Sequence, residues 1–414
     1  MANDLTGNVG LFMGWCLKRI GKLIGLQQNL IRSTGFRKDL TVLFLVSHNS
    51  AGGTQEVCRN IVEGFWARGH EALLFALYPG DFDRNSSVLP WNYVVARKPS
   101  GLFDQIQLVF GLAETIRRLK PSAVVTAMPA ANVLGPIAAC LSGTSCRVIV
   151  SHHSPANTHN PELNMLDSLT GSFGVTKTVI CVSNTVASTL KNKPLVYRAK
   201  LQTIHNSLPP EIEEHIAGLE RAPQRELGRS HRIVSTGRLG PEKNYSVLIR
   251  ALALMKNVEL LIVGKGSEQN ALERLAQELG VTDDVKFLGQ MPRLDVLTTM
   301  SKCDVFVQPS LFEGHSLSLI EASKLGMPLV ISNVPGQLEG ATRADGVLCA
   351  IALDPHDAHG FAREISKLFS DSSYFQAWTE RSRLLSQQSN YGDMITQYER
   401  VVVPLLRDAV LKID

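Results

Sequence analysis

The chain has 414 residues, 44% of them hydrophobic and 19% charged, which is enough length for two domains with proper cores and an ordinary globular balance. Its formal charge of +4 resides in residues 1–40, where Lys18, Arg19, Lys22, Arg32, Arg37 and Lys38 face only Asp4 and Asp39; the rest is balanced and lacks a basic stripe, so nucleic acid is excluded as an expected partner. The seven cysteines, at 16, 58, 140, 146, 181, 303 and 349, form no C-x-x-C pair and no regular framework, which suits a reducing cytosol and leaves no zinc site legible.

Residues 1–40 read as a basic amphipathic segment ahead of the first strand. With residues 11–32 on a helix, Phe12, Trp15, Cys16, Ile20, Leu23, Leu26 and Leu30 share one broad face, Lys18 and Lys22 flank it, and Gly14, Gly21, Gly25 and Arg32 lie opposite. This is the arrangement of a helix lying in a membrane interface; Arg19 falls inside the apolar face and has to snorkel. The alternative is a helix packed on the protein's own surface. No run reaches the length of a membrane span and no export signal is read. The expected location is the cytoplasm, with peripheral contact to the cytoplasmic membrane face through residues 11–32.

Residues 41–208 alternate strands and helices. Residues 42–46 read as a buried strand, and SHNSAGGTQE follows as a loop in which Gly52 and Gly53 precede a helix over 54–68 that Gly69 stops. Further strands are expected at 72–77, 123–127 and 147–151, the last ending in His152-His153, then at 179–182 before Ser183-Asn184 and at 201–204 before His205-Asn206-Ser207. Residues 209–230 are polar and proline-containing and read as an interdomain linker.

The second domain, 231–373, opens with a strand at 232–236 and the turn Gly237-Arg238-Leu239. Arg238 and Lys243 stand five residues apart after a glycine turn, a placement of positive charge that a departing diphosphate requires. The strand at 260–263 ends in Gly264-Lys265-Gly266, which fails as a dinucleotide fingerprint because Gln269 stands where the third glycine belongs. Residues 285–288 form the next strand, before Gly289-Gln290-Met291. Residues 355–368 read as an amphipathic helix, and 374–414 as a helical tail.

The most informative stretch is 304–339, a strand at 305–307, a loop, a helix and a strand at 329–331. Ser316 is the expected N-cap and Gly326 the left-handed C-cap. Glu313 lies in the loop and Glu321 in the helix. Eight positions amount to roughly two turns plus about 80°, so the loop places one carboxylate and the helix the other, as suits a ligand held at two ends. The free amides of residues 315–318 (His315, Ser316, Leu317 and Ser318) open the helix where a phosphate is favoured.

PSLFEGHSLSLIEASKLGMPLVISNVPGQLEG, residues 309–340, resembles the signature of the retaining glycosyltransferases of family 4 (group 1), with a weaker likeness from about residue 41 to about 368. The resemblance implies an α/β chain of GT-B fold, two Rossmann-like doubly wound domains facing a central cleft, with the helical tail 374–414 crossing back to the first domain. It implies that Glu321 binds the nucleotide's ribose hydroxyls and that Glu313, with Gly314 after it, faces the donor sugar. Gly52 and Gly53 are then the place where backbone amides approach the diphosphate, and Arg238 and Lys243 take its charge without a divalent metal. Gly237 and Gly264 match the family's turns, and Gln290 and Met291 its backbone contacts to the base. One of His152 and His153 is directed at the sugar. Successive strand residues face opposite sides, and His153 is preferred. The chain departs from the family's usual aromatic or glycine with His315 and Ser316 after Glu313-Gly314, and with Ser207 in place of a glycine.

The activity this implies is transfer of a sugar, with retention, from a nucleotide diphosphate to a hydroxyl acceptor, lipid-linked or a polysaccharide intermediate, with no cofactor and no metal. A GT-B nucleotide-sugar hydrolase or epimerase and a non-catalytic sensor are the alternatives. Removal of residues 1–38 is expected to abolish co-sedimentation with anionic vesicles at low salt and to leave donor binding intact. A truncated chain that still sediments rules the interfacial helix out.

Overall fold

The computed structural model describes residues 41–50, 52–80, 91–220 and 230–410, the side chains of 403–410 excepted. The basic segment 1–40 therefore lies outside the described residues, as does 221–229 of the expected linker. Among the described residues, no helix is long and apolar enough to cross a membrane.

Two parallel sheets organise the chain. The first contains β1 (Thr41–His48), β2 (Glu71–Tyr78), β3 (Asn92–Tyr93), β4 (Ala123–Ala127), β5 (Arg147–His152), β6 (Thr176–Cys181) and β7 (Leu201–Thr203), in the order β3-β2-β1-β4-β5-β6-β7. The second contains β8 (His231–Thr236), β9 (Val258–Val263), β10 (Val285–Gly289), β11 (Val305–Gln308), β12 (Leu329–Ser332) and β13 (Ile351–Leu353), in the order β10-β9-β8-β11-β12-β13. Strands buried on both faces must be apolar throughout, and Val42 through Val46 are fully buried. In each sheet the order reverses beside its first strand, at β1/β4 and at β8/β11. Ligands of open α/β sheets bind outside the carboxyl ends of the strands at such reversals. The fold is GT-B, as the resemblance implied.

Alternate residues of β1 feed two cores. Val42, Phe44 and Val46 pack with Val57, Ile61 and Phe65 of the helix Gly53–Ala67, while Leu43 and Leu45 pack with Leu112 and Ile116 of the helix Leu102–Leu119. The first of these cores is completed from the far end of the chain. Met394, Ile395, Tyr398 and Val402, on the helix Tyr391–Val410, are buried in it. A Cβ on Gly64 would lie 2.6 Å from Ile395 Cδ1, so a side chain there would force the two helices apart. The rest of the expected tail, the helix Ser372–Ser386, stays with the second half through Phe375 and Leu385.

The expected linker begins differently from its polar composition. Pro210–Gly218 is a helix whose Ile212 and Ile216 pack beside Val234, Leu297 and Phe306, so this stretch belongs to the core of the second half. The chain crosses between the halves twice, after β7 and again before Tyr391, and the crossings touch: Ser207 Oγ and Ser389 Oγ are 2.8 Å apart.

Candidate active site

Three glycine turns stack at the carboxyl ends of β8, β9 and β10. Gly237 (φ 146°) and Gly264 (φ 143°) adopt a backbone open to glycine, and a Cβ on Gly264 would meet the Gly237 carbonyl oxygen at 2.0 Å. The turn after Gly237 carries Arg238 outward, where it pairs with Glu242 Oε1 at 2.7 Å, and returns Lys243 inward. Lys243 Nζ donates to Glu313 Oε1 at 2.6 Å, and Ser310 Oγ donates to the same oxygen at 2.7 Å. The loop after β11 and the turn after β8 thus deliver one cation and one carboxylate to a single point. Gln290 is exposed and Met291 half-buried at the end of β10.

The helix Leu317–Lys324 starts where its sequence placed it. Ser316 Oγ accepts from Leu319 N at 3.3 Å and from Gln308 Nε2 at 3.0 Å, and Gly326 closes the far end at φ 64°. Its first N–H groups, from Leu317 and Ser318, have no intrahelical acceptor. Glu321 is 6% exposed. Arg293 Nε donates to its Oε1 at 2.8 Å, and Arg293 Nη1 donates to Glu56 Oε1 at 2.7 Å. Burial pushes the Glu321 carboxyl up and Glu56 adds to the rise, while the Arg293 guanidinium holds it down. Glu56 stands three residues beyond Gly53, in the helix opened by the Gly52-Gly53 pair. Both glycines are exposed, and a Cβ on Gly53 would meet nothing within 4 Å.

A second set of contacts joins the halves beside the loop that carries Glu313. A Cβ on Gly314 would lie 2.0 Å from the His153 carbonyl oxygen, so Glu313 and His153 are brought together across the halves. Asn206 Nδ2 donates to the His315 carbonyl at 2.9 Å, and the His205 and His315 rings lie 4.9 Å apart. Glu339 accepts from the amides of Asn184 and Thr185, both at 2.6 Å, from Thr185 Oγ1 at 2.7 Å and from His205 Nε2 at 2.9 Å. A carboxylate from the second half therefore caps a first-half helix, Asn184–Ser188.

The two histidines after β5 part company. His152 is turned inward, its Nε2 2.7 Å from Tyr197 Oη, in a buried network with Asp167 and Lys193. Despite burial, the bonds from His152 and Lys193 hold Asp167 down at about 2. His152 thus leaves the expected sugar-facing set. His153 stays at the junction: its Nε2 bonds Ser151 Oγ at 2.9 Å, its buried Nδ1 has no protein partner, and burial and then His152 lower it to about 3. His315, lowered to about 3 by burial and by His205, likewise has an unpartnered buried Nδ1, as does Thr236 with its Oγ1 at the end of β8. Buried polar atoms are ordinarily satisfied, and these three stand at the carboxyl ends where a ligand belongs.

Two family models cover the chain in tandem: Glycosyltransferase Family 4 over residues 51–212 and Glycosyl transferases group 1 over residues 219–385. The chain belongs to the group 1 glycosyltransferases. Within that family it is similar to the D-inositol 3-phosphate glycosyltransferase of Mycolicibacterium smegmatis, 31% identical over 41% of this chain and 40% of the relative. It is also similar to the UDP-Gal:alpha-D-GlcNAc-diphosphoundecaprenol alpha-1,3-galactosyltransferase of Escherichia coli, 27% identical over 57% of this chain and 64% of the relative. The match therefore spans about half the length of these relatives. The crystal structure of Anabaena HepE in complex with UDP and glucose superposes with a TM-score of 0.73 at 19% identity, over 88% of this chain and 99% of the other, and shows the shared fold.

Arg293, Glu56 and Glu339 escape a reading by sequence alone, because the partners that join the halves through them lie more than a hundred positions away. One local signal exists: Arg293 opens the helix Arg293–Ser301, where a cation opposes the helix dipole and needs carboxylates nearby. Glu339 offers a pH test. Burial raises its carboxyl, but the bonds from His205, Thr185 and the amides of Asn184 and Thr185 prevail and lower it from the ordinary 4.5 to about 2. Its contribution to joining the halves is present above 4.5 and lost as pH falls toward 2. Glu339→Gln is expected to lower Tm by a margin that is full at about pH 5 and shrinks as the pH falls below it. Calorimetry across that range checks it, and a margin independent of pH excludes the ionised carboxylate as its source.

Proposed function

We propose that this protein transfers a sugar, with retention, from a nucleoside diphosphate donor to a hydroxyl group of a lipid-linked or polysaccharide acceptor. The observation that carries the reading is the 2.6 Å contact between Lys243 and Glu313, made beside the N-terminus of the helix that bears Glu321. The diphosphate sits at the first amides of that helix, opposite Gly52 and Gly53. Lys243 exchanges its bond to Glu313 for one to the diphosphate, and Arg238, exposed at the turn, closes on it from outside. The sugar lies between Glu313 and His153, and the ribose lies against Glu321.

As the bond from the anomeric carbon to the phosphate oxygen breaks, the acceptor oxygen bonds to that carbon on the face being vacated, and the acceptor proton passes to the leaving phosphate. Lys243 and Arg238 stabilise the charge that develops there, so no divalent ion is required. Glu313 orients the sugar and supports positive charge on its ring; it does not attack. Neutral imidazoles at His153 and His315 suit hydrogen bonding to sugar hydroxyls.

The acceptor reading draws on the relatives, one named for a diphosphoundecaprenol-linked sugar and one for an inositol phosphate. A stripe on the helix Leu102–Leu119 supports a membrane-proximal acceptor: Leu102, Phe103, Ile106 and Phe110 are exposed, at 76%, 68%, 46% and 56%, just beyond exposed Arg97 and Lys98.

Lys243→Ala, and separately Arg238→Ala, are expected to cut turnover by roughly two orders of magnitude with the fold retained, and chelator to change little. Near-wild-type turnover in either variant, or a requirement for a divalent ion, defeats the clamp. The carboxylates are expected to separate: Glu321→Ala weakens binding of bare nucleoside diphosphate by about 1–3 kcal/mol, while Glu313→Ala spares that binding and depresses transfer. Isothermal calorimetry with turnover assays decides between this pattern and its reverse.

A further inference from the structure

Arg293 belongs to no part of the proposed chemistry, yet its side chain is mostly buried between two carboxylates from opposite halves of the molecule. Its contacts to Glu321 fall on Oε1, through Nε and Nη2 at 2.8 Å, which leaves Oε2 uncommitted to it. Its Nη1 reaches Glu56 Oε1 at 2.7 Å, and Glu56 is itself paired with Arg59 one turn on. We propose that Arg293 is the positioning residue for nucleotide ribose recognition: it fixes the plane of the Glu321 carboxylate and, through Glu56, ties that plane to the helix behind the Gly52-Gly53 turn. The inference rests on the reading that Glu321 receives the ribose hydroxyls.

The physical case has three parts. A vicinal diol is bound well only by a carboxylate whose orientation is set in advance, and a planar guanidinium sets it more rigidly than a point charge does. Without Arg293, the buried Glu321 faces Glu56 with no cation between them. Burial and the neighbouring carboxylate then push the Glu321 carboxyl further up, toward an acid form that accepts one hydroxyl bond fewer. Finally, the guanidinium starts a helix, where the dipole disfavours it; the placement is stable because two carboxylates from elsewhere in the chain compensate. One side chain thereby links the ribose end of the donor to the diphosphate end across the two halves.

The test compares, by calorimetry, whichever of UDP, GDP and ADP stabilises the protein with the 2′,3′-dideoxy form of the same nucleotide. Wild type is expected to prefer the ribonucleotide by roughly 30-fold. Arg293→Met is expected to reduce that preference to about 3-fold or less while dideoxy affinity stays within about 3-fold of wild type. Arg293→Lys restores part of the preference, and Glu56→Gln falls between wild type and Arg293→Met. Circular dichroism establishes that each variant is folded, and the lysine variant serves if the methionine variant is not. Equal losses for both nucleotides mark a merely structural role and overturn the proposal, as does a full preference in Arg293→Met. A full preference in Glu56→Gln removes the link to the first half. Glu321→Gln separates the two levels: if it keeps the preference, the ribose reading itself fails, whereas if it abolishes the preference and Arg293→Met does not, only the role of Arg293 fails.

Discussion

The approach of Gly314 to the His153 carbonyl governs how the two halves meet. Any side chain at 314 would put a carbon about two ångströms from that oxygen, far inside contact distance, so the loop that carries Glu313 lies directly on the end of β5. The side chains gathered around this junction follow from that approach. Glu313 and Lys243 come from the second half, His153 from the first, and none of them alone forms an enclosure. The same glycine explains why a turn with an apolar strand before it and a capped helix after it is drawn into the junction and away from solvent.

Electrostatics then determines which charges are tolerated there. Buried ions are costly unless paired, and each carboxylate at the junction has partners: Lys243 and Ser310 on Glu313, Arg293 on Glu321 and Glu56, amides and His205 on Glu339. Glu321 and Glu56 are paired through a guanidinium between the halves. In the proposed reaction a donor entering this region exchanges some of these partners for its own phosphates and hydroxyls, so the bound nucleotide and the junction of the halves would share the same charges. The interior network of Asp167, His152, Lys193 and Tyr197 differs, lying wholly within the first half.

Much of this was legible in the chain. The apolar runs of β1 and β11 are apolar because parallel strands are covered on both faces, and they are readable without any structure. Ser316 and Gly326 announced the ends of the helix carrying Glu321, and the glycine at 237 announced the turn that returns Lys243. What was not legible has one physical cause: a pairing across 237 positions, as between Glu56 and Arg293, leaves no periodicity in either neighbourhood. The choice between His152 and His153 was open for a related reason. Alternation along a strand says that they diverge but not which side holds Tyr197 and Asp167. The helix Pro210–Gly218 was missed because only Ile212 and Ile216 of its residues are buried, too few to stand out in a polar stretch.

The return of the helix Tyr391–Val410 to the first half has a consequence for synthesis. The ribosome delivers the first seven strands early, but Tyr398 and Val402 follow Thr203 by about two hundred residues, on the order of ten to forty seconds of elongation. Throughout that interval the layer of Val57, Ile61 and Phe65 lacks part of its cover, so the nascent first half keeps an apolar strip open to wrong association. Of the two halves, the one that emerges first is the one that is finished last.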